Sequence, residues 1–197
     1  MVGSVQHPGS VVNRVLGIVD SIQRKLGSLA ADERGVSAVE FAMLLPLMLS
    51  LYLGSVEVSQ GIGADRKVTM TARTICDLVS QVSSIGNTEM TNALNASSAI
   101  MAPFSTSNLQ VTVSSVKIDS AGKATVVWSD SLNSTAHTTG STVTLPAALN
   151  VANTSLIWSE VQYSYKPVIG YVMTGTLTLK DQIYMRPRVS DTVTRGT

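Results

Sequence analysis

Glu40 is the residue whose chemical setting in the sequence is most unusual. It lies near the start of an apolar run, in which Tyr52 is the only ionisable side chain between Phe41 and Val56. A carboxylate close to hydrocarbon is unfavourable by roughly a few kcal/mol and is usually kept for a function. A nearby cation makes such a charge tolerable. The simpler alternative is that Glu40 reaches the lipid headgroups, because it lies so close to the start of the run.

The remaining residues assemble into no constellation typical of an enzyme. His7 precedes the apolar run, and His137 lies in a Ser/Thr-rich stretch with no acidic residue at the spacing of a metal site or triad. The sequence has no Gly-x-Ser-x-Gly elbow and no phosphate-binding or dinucleotide-binding glycine pattern. We therefore expect no enzymatic activity, no cofactor and no metal. A net charge of +1 gives no electrostatic reason to expect nucleic-acid binding.

Cys76 is the only cysteine, which excludes an intramolecular disulfide and any metal site built from several cysteines. Its neighbours follow a helical pattern, so we expect a small side chain that is buried or half-buried. The alternative is an intermolecular disulfide in an oxidising compartment.

The apolar run is long enough to cross a membrane. As a helix, residues 36–58 would measure roughly 34 Å, which matches the ~30 Å hydrocarbon thickness of a bilayer. We therefore predict a transmembrane helix over residues 36–59, in contact with the lipid bilayer. Its orientation is not set by charge bias, because three basic residues lie close to the run on each side, namely Arg24, Lys25 and Arg34 before it and Arg66, Lys67 and Arg73 after it.

A secretory signal peptide is the competing interpretation of this run. Basic residues precede it, and residues 59–61 form a small-x-small triplet. Against this interpretation, a long segment precedes the run, and the run exceeds the usual length of about 7–15 apolar residues.

The residues around the start of the run resemble a known family. A charged group at residues 32–34, then Gly35, then Glu40 and an apolar helix form the prepilin-peptidase pattern of type IV pilin-like proteins. Residues 39–46, Val-Glu-Phe-Ala-Met-Leu-Leu-Pro, resemble more specifically the TadE-type pseudopilins of Tad (tight adherence, Flp) pili.

This resemblance implies processing and assembly. Cleavage after Gly35 would make Val36 the new N-terminus, and Glu40 would pair with the N-terminal ammonium of a neighbouring subunit. The same motif assigns assembly roles to Phe41 and Pro46. The implied partners are a prepilin peptidase, other Tad pilins and pseudopilins, and the pilus assembly platform.

The resemblance also implies a location. Residues 1–35 would be a cytoplasmic leader, and residues 60–197 an extracytoplasmic domain held in the inner membrane by one span or carried in a pilus at the cell surface. The implied function is that of a minor pilin or pseudopilin in a Tad-type pilus or related secretion system. The alternatives are an uncleaved, single-pass periplasmic module with a binding or structural role, and a secreted domain.

Two C-terminal stretches, residues 160–167 and 183–188, resemble the end of TadE-like chains. The resemblance makes four aromatic and basic residues in these stretches candidate partner contacts: Tyr163, Tyr165, Arg186 and Arg188. For the two arginines, the alternative is a solvated strand end.

Beyond the span the periodicity predicts two helices, over residues 60–85 and 88–102. In the first, apolar residues recur every three or four positions at Val68, Ala72, Ile75, Val79 and Val82. In the second, one side is lined by Met90, Ala93, Leu94, Ser97 and Met101.

Residues 108–189 predict a sheet. Apolar residues alternate over residues 109–113 and resume with shifted parity at Val116 and Ile118, which suggests a bulge. Turn residues at 119–122 predict a hairpin to the next strand, and residues 130–141 predict a loop. Further strands are predicted over residues 156–165 and 176–185. The expected fold is α+β and pilin-like, with a long N-terminal helix packed on an antiparallel sheet of about four strands.

Overall fold

The computed structural model describes residues 17, 20, 21, 23, 24, 27, 33–170 and 174–196. The chain divides into two units, Met1–Tyr52 and Leu53–Thr197. The described residues before residue 33 are helical. The rest of the predicted leader, including the N-terminal ten residues, lies outside the described residues.

Helix α1, Glu33–Ser80, is continuous and contains Pro46. Proline lacks the N–H that would bond to the carbonyl of Ala42, and Ser50 donates its hydroxyl to the Pro46 carbonyl at 2.7 Å. Residues 35–49 are all exposed. In the second unit, by contrast, one face of the helix is buried, and its apolar residues are buried from Ala64 onward.

Helix α1 ends at Ser80, so the predicted end at residue 85 was wrong. Strand β1, Ser84–Ile85, pairs in parallel with strand β6, Thr194–Arg195, near the C-terminus. The backbone N–H of Arg188 bonds to the Ser80 carbonyl at 2.8 Å. The chain after Ser80 therefore gives its backbone hydrogen bonds to the C-terminal segment instead of continuing the helix.

Helix α2 spans Asn87–Met101, and its start is fixed by Glu89, whose carboxylate accepts the Gly86 N–H at 2.8 Å. This carboxylate satisfies an N–H that the helix cannot. The buried residues are the five that periodicity predicted: Met90, Ala93, Leu94, Ser97 and Met101.

The main sheet has four antiparallel strands in the order β3-β2-β4-β5. The strands are β2 Leu109–Ile118, β3 Ala124–Leu132, β4 Thr154–Tyr165 and β5 Leu177–Met185. Short 3-10 turns occupy Thr106–Asn108 and Ala147–Leu149. The α+β prediction and the β2–β3 hairpin are confirmed. Strand β3 runs three residues into the predicted loop 130–141, because Asp130, Ser131 and Leu132 continue to pair with β2.

The main core lies between α1, α2 and the inner face of the sheet. Alternation along β2 places Leu109, Val111 and Val113 on this face. The helix contributes Val68, Ala72, Ile75 and Val79, all fully buried, while Val82 is partly buried beyond the helix end. β4 adds Ile157 and Val161.

The parity shift along β2 has a different cause from the one predicted. Val116 and Ile118 lie on the opposite face of the sheet, in a second cluster with Leu156 that residues 143–149 help to cover. The pairing of β2 with β3 does contain a β-bulge, at the step between Ser115 and Val116. The extra residue of this bulge is Val127 on β3, because Trp128 and Val126 pair with consecutive β2 residues.

Candidate membrane segment and contact surfaces

The described residues contain one helix long and apolar enough to cross a membrane, Gly35–Ser80, with a mean hydropathy of 1.9 over its most apolar window. No part of that window is buried by protein. A helix surface of this kind is unfavourable in water and needs an apolar environment.

The predicted processing and assembly residues all lie on the exposed part of α1. Val36 is 60% exposed and Phe41 58%, and Glu40 is also exposed. A Cβ added to Gly35 would meet nothing within 4 Å. The first unit therefore leaves these residues accessible to another molecule.

Glu57 is a buried carboxylate that the sequence analysis did not single out. It belongs to the second unit and is only 2% exposed. Its negative charge, after the larger effect of burial, raises the pKa of Tyr165. The signal was present in the sequence, because Glu57 continues the buried face of α1 seven residues before Ala64.

Tyr163 and Tyr165 are buried, so the structure does not place them as exposed partner contacts. They are 4% and 3% exposed, and both rings pack against Phe104, with centroid distances of 6.4 and 6.0 Å. Burial raises the pKa of each phenol. Their position follows from strand alternation, which turns odd-numbered residues of β4 towards the helices.

The two predicted arginines differ. Arg186 is exposed and remains available to a partner. Arg188 instead bonds to Asp77 on α1, with 2.6 Å between Nη2 and Oδ1. Arg188 therefore holds the segment after β5 against the end of α1.

Arg195 is a structural residue that the sequence analysis missed. Its guanidinium bonds to Asp130 at 2.8 Å, to Asn87 at 2.7 Å and to the Ile85 carbonyl at 3.2 Å. The hydrogen bond to Asp130 raises the pKa of Arg195 further. A single arginine thus joins β3, β1 and the start of α2 to the C-terminal strand.

The outer face of the sheet carries a polar groove of about 640 Å³. His137 and Glu160 are hydrogen-bonded across it at 2.5 Å, and the Trp158 ring stacks between His137 and Tyr184. The sequence analysis found no acidic residue at a suitable spacing from His137 in the sequence. In the folded protein, however, β4 brings Glu160 next to His137. The other groove residues are Gln110, Thr112, Ser134, Thr135, Val161, Gln162, Lys180, Asp181 and Gln182.

The groove is lined mainly by side chains that can form hydrogen bonds. Among the described residues there is no group of three or more His, Cys, Asp or Glu that could hold a metal ion. The groove's amides, hydroxyls and charged side chains can donate and accept hydrogen bonds on this face of the sheet.

Comparison with known proteins finds a similarity along α1. A family model described as "TadE-like protein" matches residues 35–76. We call these residues, which are similar to that family, the TadE-like segment. No curated protein and no solved structure matches the chain significantly. The match does not include residues 160–188, so the resemblance noted there stays a prediction.

The TadE-like segment begins at the predicted cleavage residue Gly35 and ends at Cys76, and so draws on both units. Its first part is the exposed apolar helix. Its second part supplies the buried face that holds the sheet, including Val68, Ala72 and Ile75.

Cys76, at the end of the TadE-like segment, is fully buried, with its Sγ 3.2 Å from the Ile157 carbonyl oxygen. Burial raises the pKa of this thiol from 9.0 to about 12. Because the thiolate is the nucleophile, Cys76 should be unreactive in the folded chain. This placement does not favour the intermolecular disulfide considered from the sequence.

We expect the folded protein to resist a thiol reagent such as dithionitrobenzoate at pH 8 and to react fully in denaturant. The folded thiol keeps its proton at a pH where the unfolded thiol loses it, so stability should fall as pH rises from about 9 towards 12. Cys76→Ser, matched in size, is the unreactive control. Rapid labelling of the native protein would contradict the burial.

Proposed function

We propose that this chain is a membrane-anchored pseudopilin that acts in the assembly of a Tad-type pilus or a related secretion system, and that it is not an enzyme. The observation that carries the proposal is the TadE-like match over a helix whose first part is apolar and exposed. Assembly needs surfaces and a processing site rather than catalytic groups.

The anchor is the apolar stretch of α1 over residues 36–59, in which residues 36–49 are all exposed. As a helix this stretch measures roughly 36 Å, enough to cross the ~30 Å core of a bilayer. Placing this stretch in lipid removes its exposed leucines and methionines from water. In the proposed orientation the leader is cytoplasmic, the anchor crosses the inner membrane once, and residues 60–197 are periplasmic.

Gly35 supports the processing step. Glycine inside a helix is less favourable than alanine by about 0.8–1.0 kcal/mol. Packing does not require it here, since a Cβ would meet nothing within 4 Å. Neither packing nor helix propensity therefore explains a glycine at this position. Recognition by another protein would explain it, and we propose that this protein is a prepilin peptidase.

We expect the mature protein to begin at Val36 when the full chain is produced with its prepilin peptidase, and intact-mass measurement will show this. Gly35→Ala should block cleavage, because the added methyl group changes the residue next to the scissile bond. Gly63→Ala is the matched control, since Gly63 is also helical and also open.

A chain that keeps Met1 in the presence of an active peptidase would contradict processing. It would favour the alternative, an uncleaved anchored module of the periplasm. For that alternative the groove around His137 and Glu160 is the candidate binding surface.

We further propose that Glu40 binds the Val36 ammonium of a neighbouring subunit inside the membrane. Both groups lie on an exposed helix surface, and the low dielectric of the bilayer strengthens their attraction. Phe41 and Pro46 lie along the same exposed segment and would pack against the neighbour. Other Tad pilins, pseudopilins and the assembly platform are the proposed partners.

A further inference from the structure

The loop after β4 carries apolar side chains that the protein does not cover. Val168 is 86% exposed and Ile169 46%, directly after the exposed Lys166 and the buried Pro167. Exposing two neighbouring β-branched apolar residues at a loop tip is unfavourable in water. Loop tips are more often polar, so this pattern indicates a surface that meets an apolar partner.

The loop lies beside α1 in the second unit. Val168 and Lys166 line a cleft of about 260 Å³ together with Gln60 of the helix. The cleft also contains Phe104 and the two buried tyrosines of β4. Whatever medium surrounds α1 at Gln60 therefore also surrounds the tip of this loop.

The sequence of α1 places Gln60 at the edge of a bilayer. The helix still exposes apolar side chains at Val58, 45%, and Ile62, 51%. The first exposed charged residues of the helix beyond the apolar run are Asp65 and Arg66. Between these limits the helix must leave the hydrocarbon and pass through the headgroup region.

We propose that residues 166–170 form a membrane-contacting loop, with Val168 and Ile169 inserted into the interfacial layer of the bilayer that α1 crosses. The proposal rests on the membrane anchoring proposed above. Lys166, at the base of the loop, then lies at the level of the lipid phosphates, where its charge is favourable and its stem can extend along apolar surface. The loop gives the second unit a second point of attachment, which holds it against the membrane.

Site-specific labelling of the full chain in nanodiscs containing phosphatidylglycerol tests this. Val168→Cys would carry an environment-sensitive fluorophore, with Leu47→Cys as a probe of the span. Val189→Cys is the matched control, because Val189 is 65% exposed and follows Arg188, which bonds to Ser80. Ser80 lies roughly 30 Å along α1 from Gln60. The unmodified chain, with Cys76 buried, gives the background labelling.

We expect a blue-shifted emission and quenching by nitroxide-labelled lipids at Val168 and Leu47, and neither effect at Val189. If Leu47 is quenched but Val168 behaves like Val189, the anchor stands and the loop proposal is overturned. If Leu47 is not quenched either, the anchoring itself fails. A blue shift at Val168 that is lost with one protein per nanodisc would also overturn the proposal, because the contact would then be a second copy.

Discussion

Ile75→Asp is expected to unfold the second unit. Ile75 is fully buried on the face of α1 that packs against the sheet. The substitution removes a large apolar side chain from the core and introduces a carboxylate with no partner there. Together these effects should lower the free energy of unfolding by on the order of 4 kcal/mol or more, a large fraction of the stability of a typical domain.

Arg73→Asp is the matched control, because it introduces the same side chain two residues away on the exposed face of the helix. It should change stability by less than about 1 kcal/mol. Thermal melts of the two detergent-solubilised full-length variants, followed by near-ultraviolet circular dichroism, make the comparison. Equal melting temperatures would show that the packing of α1 on the sheet is wrongly described.

Glu40→Gln is expected to abolish pilus assembly or secretion while leaving a processed protein in the membrane. The amide keeps the size and hydrogen bonding of the side chain but removes the charge that would pair with a neighbour's Val36 ammonium. Losing one partner of a partly buried ion pair costs about 3 kcal/mol, which weakens assembly by roughly two orders of magnitude. Membrane insertion should survive, because the segment becomes more apolar.

Three measurements separate the possible outcomes for Glu40. Intact mass reports cleavage after Gly35, membrane fractionation reports insertion, and electron microscopy with a secretion assay reports assembly. Asp191→Asn is a control for the loss of one carboxylate, since Asp191 is exposed in the second unit. Normal assembly with Glu40→Gln would leave Glu40 as a residue that reaches the headgroups and would favour the anchored-module alternative.

Periodicity in the sequence predicted the buried faces of both helices in the second unit. Val68, Ala72, Ile75 and Val79 are all fully buried, and the whole predicted face of α2 is buried too. The same pattern, extended back along α1, would have found Glu57. Helical spacing is informative because residues three or four apart share one side of the helix wherever that helix packs.

The burial of two candidate contact residues could not be predicted from the sequence, and strand geometry explains why. The Tyr163 and Tyr165 side chains share one parity on β4, and parity says only that they lie on the same face. Which face turns inward depends on where α1 and α2 pack. The His137–Glu160 pair was missed for a related reason, since its residues lie on a loop and a strand that meet only in the folded sheet.

The sequence by itself determined the apolar segment, the helical faces, the strands and hence the α+β class. Each of these follows from the spacing of apolar and polar residues along the chain, because apolar side chains are removed from water on folding. The tertiary structure decided the end of α1, the pairing of β1 with β6 and the contacts of Arg188 and Arg195. These features depend on hydrogen bonds and ion pairs between segments far apart in the chain. Local sequence patterns do not identify such partners, because any of several distant segments could satisfy the same hydrogen-bond donors and acceptors.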